Sequence, residues 1–231
     1  MNKRLFFVFA YMAILVLNAS AQFSNSGNNS IPVSDYKGWN TIFFEWNPSS
    51  FVYTGKEDVD DVNFNGFSFG YNRAISLISS VPLFLETGIA VQFSLHKEDE
   101  SKSYYKLSEK LSLVSLKVPV NLMYKVNLPN SSISFVPFAG FTIRGNVWGE
   151  DYYKAKYDGN SESVSLDLFD KDDMNKLNSN TWKRIQIGWQ VGLKAHFAER
   201  IVLGGSFGTD FSEIVKKSKV HTGTVSIGYT F

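Results

Sequence analysis

Val220-His-Thr-Gly-Thr-Val-Ser-Ile-Gly-Tyr-Thr-Phe231 ends the sequence, and from Thr224 onward it alternates without a miss. Val225, Ile227, Tyr229 and Phe231 fall on one side; Thr224, Ser226, Gly228 and Thr230 fall on the other. A period of two marks a β-strand whose faces meet different surroundings. In a soluble sandwich or lipocalin-type barrel the apolar side would point at a core. In a transmembrane barrel it would point at lipid. This stretch allows both, so the decision falls to what precedes it.

Seven more segments alternate in the same way. About 201 to 211, Ile201, Leu203, Phe207 and Phe211 oppose Gly204, Ser206, Gly208 and Asp210. About 182 to 197, Ile185, Ile187, Trp189, Val191 and Leu193 oppose Arg184, Gln186, Gln190 and Lys194. The segment about 133 to 147 is less regular, with Phe141, Ile143 and Val147 against Thr142, Arg144 and Asn146. About 111 to 126, Val114, Leu116, Val118, Val120 and Leu122 oppose Lys117, Asn121 and Lys125. About 83 to 96, Leu85, Ile89, Val91, Phe93 and Leu95 oppose Glu86, Gln92 and His96. Phe67, Phe69 and Tyr71 oppose Gly66, Ser68 and Gly70 in 62 to 73. Ile42, Phe44 and Trp46 share a side in 38 to 46, with Glu45 opposite and the register ambiguous at Trp39 and Asn40.

Two features separate the alternatives. The polar faces carry full charges while the apolar faces carry almost none, the apolar-out, polar-in pattern of a membrane barrel rather than a lipocalin. The connections also alternate in length. Tight links fall near Ile78-Ser79-Ser80, Leu128-Pro129-Asn130 and Ala198-Glu199-Arg200, and longer polar ones span about 47 to 61, 97 to 109, 148 to 181 and 212 to 219. Short turns on one rim and long loops on the other suit such barrels. The expectation is an all-β fold, an eight-stranded antiparallel up-and-down transmembrane β-barrel over residues 37 to 231. Pro119 and Pro137 resist it, since each removes a ladder donor; a bulge or bend is expected at each.

Lys3 and Arg4 precede an apolar run from Leu5 to Leu17 and the small-residue pattern Asn18-Ala19-Ser20-Ala21. That reads as an export signal cleaved after Ala21, because the run is shorter than the ~20 residues of a spanning helix. Residues 22 to 36 read as a periplasmic lead-in. The chain has no Cys, which excludes disulfides and Cys-based metal sites. A net charge of +1 makes no electrostatic case for nucleic-acid binding. The 20 Phe and 11 Tyr suit outward cover and interfacial girdles.

Three stretches, Leu116-Lys-Val-Pro-Val-Asn-Leu-Met-Tyr-Lys125, Phe135-Val-Pro-Phe-Ala-Gly-Phe141 and Ile227-Gly-Tyr-Thr-Phe231, carry a family likeness. Through them the mature chain resembles the small outer-membrane β-barrel proteins of Bacteroidetes-type bacteria, the PorT-like or porin-family barrels. It implies the outer membrane of a Gram-negative bacterium and fold rather than activity; PorT-like members are associated with protein secretion. The terminal strand also resembles the insertion signal of outer-membrane barrels, with Tyr229 and Phe231 in that role and the barrel assembly machinery as a partner.

Eight strands leave a lumen only wide enough for side chains. Glu45, Glu86, Asp210, Lys117, Lys125, Arg144, Arg184 and Lys194 are expected inside it. Confined charges must pair, so a salt-bridged plug is expected rather than a pore. In the third long link Asp167, Asp170, Asp172 and Asp173 form either a solvated acidic loop or a cation or surface-binding loop. Trp148, Tyr152, Tyr153 and Tyr157 beside them suit an extracellular or secretion-system partner. His96 and His221, near Glu98, Asp99 and Ser101, are the catalytic alternative, but rim histidines are usually interfacial polar residues. No enzyme and no cofactor are expected; outer-membrane lipid and lipopolysaccharide are expected neighbours.

Overall fold

The structure, a computed structural model, describes residues 36–53, 62–102, 105–157, 160–177 and 179–231. The export signal, its cleavage point and nearly all of the lead-in lie outside the described residues. The elements are β1 (Trp39–Trp46), β2 (Ser49–Tyr53), β3 (Val62–Ile78), β4 (Val81–Lys102), β5 (Tyr105–Tyr124), β6 (Val126–Asn127), β7 (Ile133–Tyr157), β8 (Asn160–Asp167), α1 (Lys171–Lys176), β9 (Ile185–Phe197), β10 (Ile201–Asp210) and β11 (Ser218–Thr230).

Eight of the strands close a ring in the order β1, β3, β4, β5, β7, β9, β10, β11, each antiparallel to its neighbours. Closure runs through β1, where Ile42 pairs with Tyr71 of β3 on one side and Tyr229 of β11 on the other. β2 continues β1 beyond Asn47-Pro48 in unchanged register, since Trp46↔Phe67 leads on to Ser49↔Phe64. β6 likewise continues β5, and β8 folds back on β7 outside the ring. A closed ring pairs every strand edge, the condition for a sheet to lie in lipid. The expected eight-stranded transmembrane barrel is the fold observed.

The outer wall is apolar. Phe69 is 59% exposed, Phe141 56% and Val225 58%, and Ile42, Phe44, Ile89, Phe93, Ile187 and Ile227 stand out with them. Arg73, on the same side, pairs with Asn40 at the rim that carries the chain terminus. Gly192 is required on the inner wall, because a Cβ there would come within 2.5 Å of the Phe138 ring.

The proximal end, where Asn40 hydrogen-bonds Phe231, is filled by Ala74, Phe84, Met123, Val136 and Phe138, with Tyr36 and Trp39 against them. Trp39 lies in that cluster, its ring 4.5 Å from the Phe84 ring, which resolves the ambiguous start of β1. The middle of the lumen is polar. The distal end is apolar again, with Phe51, Phe64, Leu111, Leu113, Leu166, Leu168, Met174, Ile214 and Val220 in one cluster.

One expectation is corrected here and a second is narrowed. The links expected about 97 to 109 and 148 to 181 are largely sheet. β4 and β5 stay paired out to Lys102↔Tyr105, and β7 runs to Tyr157 before turning back into β8. Both faces of these stretches are polar, so they lack the apolar alternation that marks a strand; the register inherited from the wall below holds them. Neither proline makes a bulge. Around Pro119 the β4–β5 ladder skips from Thr87↔Val120 to Ala90↔Lys117 without changing register, and opposite Pro137 the break between β5 and β6 absorbs the missing donor. The bulges fall at Ser76/Ile78 and at Val114/Ser115. At the latter, Val147 and Trp148 are both exposed, and inward positions change from even (Arg144, Asn146) to odd (Gly149, Asp151). Before the slip the parity holds, but the inward set is itself apolar at Val136 and Phe138, which is why the segment from 133 to 147 reads irregularly.

The two exposed zones differ in solvent. Phe69→Arg should cost about 2–4 kcal/mol of folding stability in bilayers, the range for a cation on a lipid face. Tyr157→Arg, at a residue 63% exposed but on the distal extension, should be near neutral. Urea unfolding of vesicle-reconstituted variants distinguishes them.

Candidate functional site

Three ion pairs brace the lumen. Lys117 Nζ of β5 lies 2.6 Å from Glu45 Oε2 of β1, Lys194 Nζ of β9 lies 2.5 Å from Glu86 Oε2 of β4, and Arg144 Nη2 of β7 lies 3.0 Å from Asp210 Oδ1 of β10. None joins adjacent strands; each ties separated parts of the wall. Their side chains are nearly buried, at 14% exposure or less except for Lys194 at 15%.

Neutral polar residues complete the network. Ser68 Oγ donates to Glu45 Oε2 at 2.8 Å and accepts from Asn47 Nδ2 at 2.9 Å. Thr224 Oγ1 donates to Asn47 Oδ1 at 3.0 Å. Asn121 Nδ2 donates to Glu86 Oε1 at 2.9 Å, and Gln190 Nε2 to Asn121 Oδ1 at 2.8 Å. Asn47 is fully buried, yet it sits in a stretch that reads as loop; its signal is the Asn-Pro break that hides a continuous strand. Two internal cavities of about 30 and 20 Å³ lie beside this network, bounded by Lys117, Arg144 and Asp210 and by Glu45, Glu86 and Lys194. Each has room for little more than a water or two.

Lys125 lies at the proximal end, 2.5 Å from Glu199 Oε2 and over the Trp39 ring. Arg184 is a correction: it is exposed, outside the lumen. β9 begins one residue later, and the guanidinium stacks 4.4 Å from the Phe169 ring at the distal rim. Tyr229 and Phe231 stand exposed on the lipid side of the last strand.

The acidic segment does local structural work. Asp170 caps α1, its Oδ1 accepting from the N–H groups of Asp172 and Asp173 at 2.8 and 3.0 Å. Asp173 accepts from the Asp167 N–H at 3.0 Å and from Lys176 Nζ at 2.6 Å, and Asp167 Oδ1 accepts from the Phe169 N–H. Among the described residues no three His, Cys, Asp or Glu converge to hold a metal.

His96 faces the inner side and holds the Asn63 carbonyl at 2.7 Å through Nδ1. His221 stacks on Phe207, which stands on the outer wall. The wall separates the two, so they form no common site. His196 is buried in the proximal end against Trp39, its ring 5.3 Å away.

A second constellation, distal to the lipid-facing band, has no signal in the sequence pattern. Tyr153 Oη donates to Asp151 Oδ2 at 2.9 Å and lies 3.3 Å from Glu109 Oε1. Asp151 is 5% exposed. Burial pushes its carboxyl up to about 6; the Tyr153 hydroxyl opposes the rise and Glu109 adds to it.

No family model matches the chain, and no curated protein matches it by sequence. The PorT-like resemblance therefore rests on its motifs alone. Among solved structures, the attachment invasion locus protein Ail of Yersinia pestis is 17% identical with a TM-score of 0.41, covering 85% of this chain and 100% of its own. Neisserial surface protein A is 13% identical with a TM-score of 0.39, covering 83% and 95%. The N-terminal β-barrel domain of Pseudomonas aeruginosa OprF is 12% identical with a TM-score of 0.31, covering 84% and 100%. Likeness at this level says nothing of what the chain binds.

Removing one partner of a buried pair leaves an uncompensated charge, so Arg144→Met should destabilise the barrel by about 3–5 kcal/mol. The double variant Arg144→Met/Asp210→Asn should recover most of that loss, read as the urea midpoint of folded protein on unheated gels. A separate effect is expected of Asp151. The folded state binds its proton more tightly than the unfolded chain, whose value is 3.8. The stabilisation is complete below about pH 4 and is lost as pH rises through about 6. Amide exchange in β7 and β8, corrected for intrinsic rates, should be slower at pH 4.5 than at pH 7, and Asp151→Asn should abolish the difference.

Proposed function

We propose that this chain is a non-enzymatic outer-membrane barrel of a Gram-negative bacterium. Its distal end faces outward, and its work is surface interaction through the projecting sheet. The lumen carries this reading: apolar clusters close it at both ends and paired charges fill the middle. A lumen built that way favours rigidity over conduction. The distal elements instead have their own apolar core and stand beyond the lipid-facing wall, where a partner has access.

Orientation follows from the termini. The N-terminal strand and the C-terminal residue meet at the rim with the short turns, the periplasmic rim in barrels of this kind. An accessory role in protein secretion, which the PorT-like resemblance implies, would use the same distal sheet, and a deletion strain that fails to secrete would favour it.

The test combines localisation with transport. Protein in the outer-membrane fraction should migrate faster unheated than boiled on SDS gels, and the purified barrel should give no unitary conductance steps in planar bilayers. A soluble periplasmic protein with no mobility shift would end the membrane reading, and regular conductance would end the plugged-lumen reading.

A further inference from the structure

Beyond the lipid-facing band, β4, β5, β7 and β8 continue as a four-stranded sheet whose two faces differ in charge. Cross-strand positions His96, Leu111, Asp151 and Leu166 define one face. Leu111, Asp151 and Leu166 are buried, so that face looks inward; it also carries Glu98, Glu109 and Glu162. The opposite face carries Lys97, Lys106, Lys110, Lys154 and Lys156, against Asp99, Glu150 and Asp167.

The lysines are placed at a cost. Lys97 stands directly opposite Lys110, and Lys106 directly opposite Lys156. Like charges facing each other across a strand pair destabilise a sheet. Lys97 has Asp99 at 2.7 Å. Among the described residues, Lys106, Lys110, Lys154 and Lys156 have no carboxylate within 4.0 Å. Five lysines against three carboxylates leave this face with an excess of positive charge.

Its position says which anion fits. Leu95 faces lipid, and Lys97 is the next residue on that side of β4, about 7 Å further along at ~3.3 Å per residue. On β5, Lys110 follows Val114 on the same side by about 13 Å. The polar zone of a bilayer adds roughly 5–8 Å beyond each edge of its hydrocarbon, within reach of flexible lysine side chains. Lys154, Lys106 and Lys156 climb away from that level. On β4 and β5 the wall therefore presents apolar side chains below and ammonium groups above, while Glu150 and Asp167 stand at the level of Leu95 on β7 and β8. A free polyanion would not need the lysines on the lipid-facing side.

We propose that this outward lysine face docks the phosphate groups of an anionic glycolipid in the leaflet around the distal end, with acyl chains along Phe93, Leu95, Val114 and Leu116. The proposal rests on the outer-membrane reading above. It commits to a lipid; a soluble sulfated or phosphorylated polymer is the rival occupant.

The full chain, folded in detergent and checked by its heat-dependent mobility, is titrated with phosphorylated lipopolysaccharide, the same lipopolysaccharide stripped of phosphate, and soluble heparin. Binding to the phosphorylated glycolipid should weaken with added salt. It should weaken by roughly tenfold or more in Lys97→Gln/Lys110→Gln/Lys154→Gln. Lys171→Gln/Lys176→Gln on α1 should bind like the parent, and the arginine triple Lys97→Arg/Lys110→Arg/Lys154→Arg should retain binding. Equal binding of both lipopolysaccharides, or an unaffected glutamine triple, would overturn the proposal, and so would preference for heparin. Loss of the mobility shift in the parent chain would instead strike the membrane reading itself.

Discussion

A backbone amide in hydrocarbon has no water to bond, and each unpaired group costs several kcal/mol. The rest of this structure follows from that. β1 must pair on both sides, with β3 and with β11, so the chain must bring β11 back to β1 and leave no free edge across the band. A closed ring in turn assigns each strand one lipid side and one luminal side. Pro119 and Pro137 are tolerated because each gap is local and leaves the register on either side intact. A bulge at either position would have rotated the rest of the strand's side chains through the wall.

Closure creates the second constraint, a narrow interior in which charge is expensive. The molecule meets it with complementary pairs across the lumen and, at Glu86, with an amide that takes the second carboxylate oxygen. Glu86 shows the arrangement: Lys194 takes one carboxylate oxygen and Asn121 the other, and Gln190 then satisfies Asn121. Apolar residues at both ends keep this belt from bulk water and strengthen its electrostatics, since screening falls with solvent access. Such pairs need not add net stability over an apolar filling. They do penalise any misregistered closure, because sliding one strand by a residue would turn a luminal charge into lipid.

That penalty also explains what could be read from the residues. Alternation along β1, β4, β5, β7, β9 and β10 announces both the strands and their facing, and it places Glu45, Glu86, Lys117, Arg144, Lys194 and Asp210 on the luminal side. Which acid meets which base was not legible, because the pairs join strands two or three places apart around the ring. Arg184 has luminal parity but lies just before its strand begins, where parity has no force. The distal strands were not legible either. Pairing continues there through residues polar on both sides, and the slip at Val114/Ser115 reverses the inward set on β7.

That reversal marks a change of solvent along one continuous strand. Within the band, β5 points Lys117 and Asn121 inward and Leu116 and Leu122 outward. Further along, the same strand points Leu111 and Leu113 inward and Lys110 outward. The outward surroundings change from hydrocarbon to polar, so the hydrophobic effect drives apolar groups outward in one zone and inward in the other. On β5 this happens with no break in the strand, only a change in which residues occupy its two sides. β7 accommodates the same transition with an extra residue, and its two outward neighbours Val147 and Trp148 stand where the zones meet. The distal sheet is thus a small water-facing protein built directly on the barrel wall, its orientation to the lipid set by the strands that cross it.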